Sequence, residues 1–224
     1  MSDRKPSIIQ HCERSQKVLD ALLKEGRTWE PDDLHAFALW EPFIDAGGSW
    51  ECAAILEGDV FVYFQDHESG DNSVYSGVEI AHLKFYRIDK YSNVSLCGDM
   101  LSSDGLKMGE AYELLEDIDS ESFEESILTA GHPYFLDDFQ VKKEYQRKGL
   151  GYPCLHLGLQ AAGCEGSTLL LIPSKRKKDA GFEFLKQFYM KMDMGTIWVE
   201  KHEVVCIPVY NCNDSVKYLR ERKS

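Results

Sequence analysis

Residues Tyr134 to Tyr152, YFLDDFQVKKEYQRKGLGY, constrain the fold of this chain more than any other stretch. An apolar run from Tyr134 to Val141 reads as a strand, a charged turn follows, and Gly149 and Gly151 lead into a helix. Strand periodicity assigns one parity to each face. Tyr134 and Leu136 are apolar at even positions, whereas Phe139 and Val141 are apolar at odd ones. The parity changes across Asp137-Asp138, which predicts one inserted residue and a β-bulge there. A bulge takes backbone groups out of the ladder and offers them to a ligand. Without Cβ atoms, Gly149 and Gly151 let the backbone approach a ligand closely. The helix start adds N–H donors and the positive end of a dipole, which suits a pyrophosphate. Arg147 and Lys148 bring positive charge to the same place, and Pro153 is tolerated in a first helical turn.

Gln146-Arg147-Lys148-Gly149-Leu150-Gly151 resembles the Q/R-x-x-G-x-G/A signature of the GCN5-related N-acetyltransferase (GNAT) superfamily. The likeness extends upstream through Phe139-Gln140-Val141 and a four-residue spacer ending in Tyr145, and covers roughly residues 134–210. It implies an α/β fold: a mixed, mainly antiparallel sheet flanked by helices and split between its two central strands to admit a pantetheine arm. It implies acetyl-CoA as co-substrate, with Gln146, Arg147, Lys148, Gly149, Leu150, Gly151 and Tyr152 at the pyrophosphate and Phe139, Gln140 and Val141 along the pantetheine. Phe188-Tyr189-Met190-Lys191 is similar to the family's F-Y-x-K segment, which makes Tyr189 the proton donor to the departing sulfur. The same tyrosine also fits an ordinary apolar helix face with Leu185, Phe188 and Met192. The chain departs from the family in four places, one of them a loop, Ser174 to Asp179, a few residues longer than usual. Met192-Asp193-Met194 replaces Gly-Phe, Phe182 stands where an asparagine is common, and Ile172-Pro173 occupies the place of a strand-end glutamate. These departures bear on the base rather than on the cofactor.

Composition narrows the partners. With 224 residues and 43% apolar content, the chain can bury a substantial core. No apolar run approaches the roughly 20 residues that span a bilayer, and the first residues lack the apolar core of a secretory signal. Seven cysteines at scattered spacing do not form a disulfide framework and point to a reduced, cytoplasmic protein. A net charge of −13 argues against nucleic acid, whose binding requires phosphate neutralisation, and favours cationic acceptors. No membrane partner is expected, and a homodimer is an assembly the reading allows. No HExxH or CxxC occurs, so no metal is expected.

Along the rest of the chain, periodicity predicts helices over Ile8–Gly26 and from Pro31 through Leu34, Phe37 and Trp40. Together these form a helical extension over residues 1–48, ahead of a domain over 49–224. Glu51–Leu56 and Val60–Gln65 read as a hairpin turning at Glu57-Gly58-Asp59. Val74–Ile88 reads as one or two strands, Val94–Cys97 as a short one, and Lys107–Leu128 as an extra acidic helix whose charge suits a solvated face or a basic substrate. Helices over Tyr152–Ala162 and Ala180–Met192, a strand over Thr168–Ile172, and a hairpin of Thr196–Glu200 with Glu203–Tyr210 complete the pattern. A short basic helix is expected from Asp214.

Acyl transfer to an amine needs a polarised carbonyl, a neutral nucleophile, a protonated leaving group and held reactants. The candidate base is Asp138 or Asp137 at the bulge, Glu79 on the preceding sheet, or a water chain; each carboxylate also fits a purely structural role. Lys175, Arg176, Lys177 and Lys178 suit either the 3′-phosphate of CoA or a solvated loop. The expected reaction is acetylation of a primary amine on a small cationic molecule or a peptide. A GNAT-fold module that binds acyl-CoA or a protein without turnover is the second reading.

Overall fold

A computed structural model describes residues 8–44, 51–66, 75–88, 132–173, 179–191, 197–199 and 204–209. The strands are β1 (Gln10–His11), β2 (His35–Ile44), β3 (Glu51–Phe64), β4 (Ser76–Ile88), β5 (Tyr134–Val141), β6 (Ser167–Leu171), β7 (Ile197–Val199) and β8 (Val204–Val209). Three α-helices accompany them among the described residues: α1 (Glu13–Glu25), α2 (Gly151–Ala162) and α3 (Phe182–Met190). The strands form one sheet in the order β2-β3-β4-β5-β6-β8-β7, with β1 beside β4. Pairing is mixed: β1–β4 and β5–β6 are parallel, β6–β8 and β7–β8 antiparallel. The chain is an α/β protein.

Contacts divide the chain into two compact units whose boundaries cut across β2 to β5. The first comprises Met1–Leu39, Asp59–Lys84 and Phe139–Gly163. In it, Leu19 of α1 is fully buried, and Gly26 closes that helix at φ 67°, the left-handed cap expected of glycine. Helix α2 packs so closely on β4 that a Cβ at Gly158 would lie 2.7 Å from the Leu83 side chain. Trp29 meets Phe64 edge-on at 6.3 Å between ring centroids.

The second unit comprises Trp40–Gly58, Phe85–Asp138 and Cys164–Ser224. Leu169, Leu170 and Leu171 of β6 are buried between β5 and β8, and α3 lies against β8. The Trp40 ring lies on Gly58, and Phe43 meets Tyr86 at 5.8 Å.

Three sequence expectations fail here, each for a tertiary reason. The N-terminal helix begins at Glu13 rather than Ile8. Gln10 and His11 are extended beside β4, where the Gln10 N–H donates to the Tyr75 carbonyl at 2.8 Å and the Cys12 N–H to Gly77 at 3.0 Å. Pro31-Asp32-Asp33 makes only a 3₁₀ turn, capped by the Glu30 N–H donating to Asp33 Oδ2 at 2.9 Å, and the chain then extends as β2 instead of a second helix. Pro42 is acceptable in β2 because that strand is the edge of the sheet among the described residues. Glu57-Gly58-Asp59 is no turn: β3 runs straight through it. Gly58 is needed there because a Cβ would lie 2.5 Å from the Trp40 ring, and Asp59 is turned inward onto His82.

The remaining described elements follow the sequence reading within a residue or two, and Val74–Ile88 is a single strand beginning at Ser76. Val94–Cys97, Lys107–Leu128, Lys175–Lys178 and the tail from Asp214 lie outside the described residues.

Candidate functional site

Strand β5 carries the site, and its register supports the bulge read from parity. Its ladder with β6 runs from Tyr134↔Leu169 to Leu136↔Leu171, and β5 then continues from Asp137 to Val141 beyond that ladder. On its other side, the Ile88 N–H donates to Pro133 at 3.0 Å and the Lys142 N–H to Ile80 at 2.9 Å. Between these bonds β4 advances from Ile80 to Ile88, an even interval, while β5 advances from Pro133 to Lys142, an odd one. Hydrogen-bonded partners stand directly opposite in an antiparallel ladder, so between these two bonds the segment containing β5 is one residue longer than the facing segment of β4. Side chains Tyr134 to Leu136 are buried, whereas Asp137, Asp138, Phe139 and Val141 are half-buried and Gln140 is exposed.

After β5 the chain makes a 3₁₀ turn over Lys143–Tyr145 and a tight bend through Gln146, Arg147, Lys148 and Gly149. Three interactions hold this bend. The Gln146 side-chain amide donates to the Val141 carbonyl at 2.8 Å, the buried Tyr145 hydroxyl donates to Gln16 Oε1 at 3.2 Å, and Lys148 Nζ lies 5.9 Å from the Tyr145 ring centroid. Gln146 is therefore a loop tie as much as a ligand candidate. Arg147 takes φ 60° and Gly149 φ 79°. Arg147 is the sole non-glycine residue at positive φ among the described residues. Strain of this sort persists where surrounding structure enforces it, and it concentrates at ligand-binding segments.

A Cβ built at Gly149 would meet nothing within 4 Å, so its glycine character is set by φ and the space beside it is open. Leu150 is the buried anchor at the helix start, no side chain caps α2, and Gly151, half-buried Tyr152 and Pro153 form its first turn. Burial raises the Tyr152 phenol above its ordinary range. An uncapped helix start, exposed Arg147 and Lys148, and open space at Gly149 suit a diphosphate.

Asp138 and Tyr189 both belong to the second unit. Tyr189 is buried on α3, and burial together with the negative charge of Asp138 pushes its phenol up to about 12. The hydroxyl is thus protonated at neutral pH, and burial makes it a weaker acid than an ordinary phenol. Its neighbour Phe188 meets it edge-on at 5.1 Å. Glu79 is buried on β4 with Lys142 Nζ 3.5 Å from its carboxylate, an ion pair rather than an open base. Cys154 is buried, which raises its thiol to about 12 and disqualifies it as a nucleophile at neutral pH. No group of metal-ligating side chains occurs among the described residues, and no helix among them is long and apolar enough to cross a membrane.

One pair escaped the sequence reading. His82 Nε2 and Asp59 Oδ1 are 2.7 Å apart in the first unit, with both side chains 3% exposed. Asp59 was masked by its turn-like neighbours, and His82 by the apolar run around it; nothing in linear spacing links them. The chain matches no family model, no curated protein and no solved structure in the comparisons made.

Proposed function

We propose that this chain is an acetyl-CoA-dependent N-acetyltransferase of the GNAT type, acting on a primary amine. The observation that carries the reading is the segment from β5 to α2. A strand with one extra residue leads into a bend with two positive-φ residues, and an uncapped helix start follows beside open space. Gln146 to Tyr152 hold the pyrophosphate through main-chain N–H groups, aided by the charges of Arg147 and Lys148. Phe139 to Val141 offer main-chain partners to the pantetheine amides, and near the bulge an N–H polarises the acyl carbonyl. Tyr189, which holds its proton at neutral pH, gives it to the departing sulfur as the thiolate develops. The acidity of the chain favours a cationic small molecule or a basic peptide as acceptor.

The burial of Tyr189 favours one competing reading: a fold that binds acyl-CoA, or a protein, without turnover. Release of free CoA from acetyl-CoA with a panel of amines separates the two. Turnover that drops at least about tenfold in Tyr189→Phe, the scale for losing a general acid, supports the enzyme. Thermal stabilisation by CoA with no turnover on any amine supports the binding module. Absence of any CoA binding by calorimetry sinks both.

A further inference from the structure

The reading above lacks a proton acceptor for the amine, and the first unit holds a group built like one. His82 and Asp59 stand on adjacent strands β4 and β3, with Nε2 and Oδ1 2.7 Å apart. With Nε2 donating to the Asp59 carboxylate, which is acceptor only when ionised, a ring bearing one proton presents a lone pair at Nδ1. His82 Nδ1 is buried and has no hydrogen-bond partner. Buried polar atoms are almost always satisfied, so one without a partner on an imidazole held by a carboxylate calls for a functional account.

What surrounds the pair indicates which ligand suits it. The Phe61 ring lies 5.1 Å from His82, Phe37 stacks on Phe61 at 5.4 Å, and Phe37 meets Tyr75 at 4.8 Å and Tyr63 at 6.1 Å. Successive strand residues alternate between faces. This aromatic set therefore occupies the sheet face opposite the one where Leu83 meets Gly158 of α2. Phe37 is half-buried and Tyr75 is 42% exposed, so the set reaches the surface. Electron-rich ring faces attract ammonium groups.

The register adds a link to β5. Counted back from the Lys142–Ile80 hydrogen bond, Gln140 pairs with His82. Gln140 lies within the segment assigned to the pantetheine.

We propose that His82, oriented by Asp59, is the proton acceptor for a primary ammonium substrate that enters over the aromatic face of β2 and β3. The inference rests on the acetyltransferase reading. The ammonium gives one proton to His82 Nδ1, directly or through one water. The freed nitrogen lone pair forms the C–N bond to the acyl carbon. The C–S bond breaks, and its electron pair leaves on sulfur. The second proton shed by nitrogen balances the protonation of the thiolate, and the imidazolium returns its proton to solvent. His82 is the catalytic residue here and Asp59 a positioning residue that fixes the tautomer.

The test compares two acceptors near neutral pH: a primary alkylamine, which is protonated there, and hydroxylamine, which is not. In His82→Gln, CoA release with the alkylamine should fall by about 10² or more, while release with hydroxylamine stays within a few-fold of wild type. Asp59→Asn should show the same acceptor-dependent loss to a smaller degree. The ratio of the two losses is measured on one preparation, so partial misfolding cancels. Equal losses with both acceptors overturn the assignment of His82 and leave the transferase reading standing. Absence of wild-type turnover with either acceptor overturns both.

Discussion

At the scale of single residues, the bend before α2 is where backbone conformation and proposed chemistry meet. Gly149 holds φ 79° with open space beside it, so a substitution there tests the conformation without a steric clash. An alanine in the left-handed region costs roughly 1–2 kcal/mol, which in a domain of this size lowers Tm by a few degrees. Asparagine tolerates that region far better. Gly149→Ala is therefore expected to lose both stability and CoA affinity. Gly149→Asn should recover most of the stability while its side chain still occupies the space a diphosphate needs. Thermal melts and calorimetric CoA titration of the two variants check this. Equal CoA affinity in wild type and Gly149→Asn would detach the bend from any phosphate. The legibility of this segment has a local cause: glycine, proline and charge act within a few residues of one another, so their meaning survives without tertiary context. Arg147 at φ 60° was not legible, because nothing in its type demands that conformation.

At the scale of elements, the sequence misled wherever a local signal was overruled by a distant partner. Pro31-Asp32-Asp33 carries a good helix start, yet His35–Ile44 is a strand, because pairing with β3 outweighs a capped turn. Glu57-Gly58-Asp59 has turn chemistry, yet Gly58 is there for the Trp40 ring. Two glycines make that argument measurable. At Gly58 an added Cβ meets the rigid ring face at 2.5 Å, so Gly58→Ala should cost about 1–3 kcal/mol, the usual penalty of overpacking. At Gly158 it meets the movable end of Leu83 at 2.7 Å, and alanine adds roughly 1 kcal/mol of helix propensity, so Gly158→Ala should be close to neutral. Urea denaturation of both variants gives the comparison; a Gly158 variant that is the less stable of the two would refute it.

Helix α2 also carries a pH signature. His156 is buried, and burial lowers its pKa below the ordinary 6.5 despite the opposing charge of Asp32. The folded state thus prefers the neutral ring. Its contribution to stability is complete above 6.5 and is lost as pH falls through the lowered folded value. Urea midpoints followed downward from neutral pH should decline over that window, and His156→Gln should flatten the decline. An unchanged acid limb in the variant would assign it to other groups.

At the scale of the molecule, charge decides what can approach. A net charge of −13 sets up a field that attracts cations from beyond contact distance. Its reach depends on salt: the Debye length shrinks from about 30 Å at 0.01 M to about 8 Å at 0.15 M. If the acceptor is cationic, kcat/KM for a diamine should fall severalfold over that range. A monoamine should lose less, and hydroxylamine, uncharged at neutral pH, should lose least. The gradient across acceptors isolates the field acting on them, because any effect of salt on acetyl-CoA binding is common to all three. A graded response means that the acidity of the chain helps select its substrate. An identical response for the three acceptors would mean that the charge serves solubility alone, and that selection of the amine rests on the aromatic face and on His82.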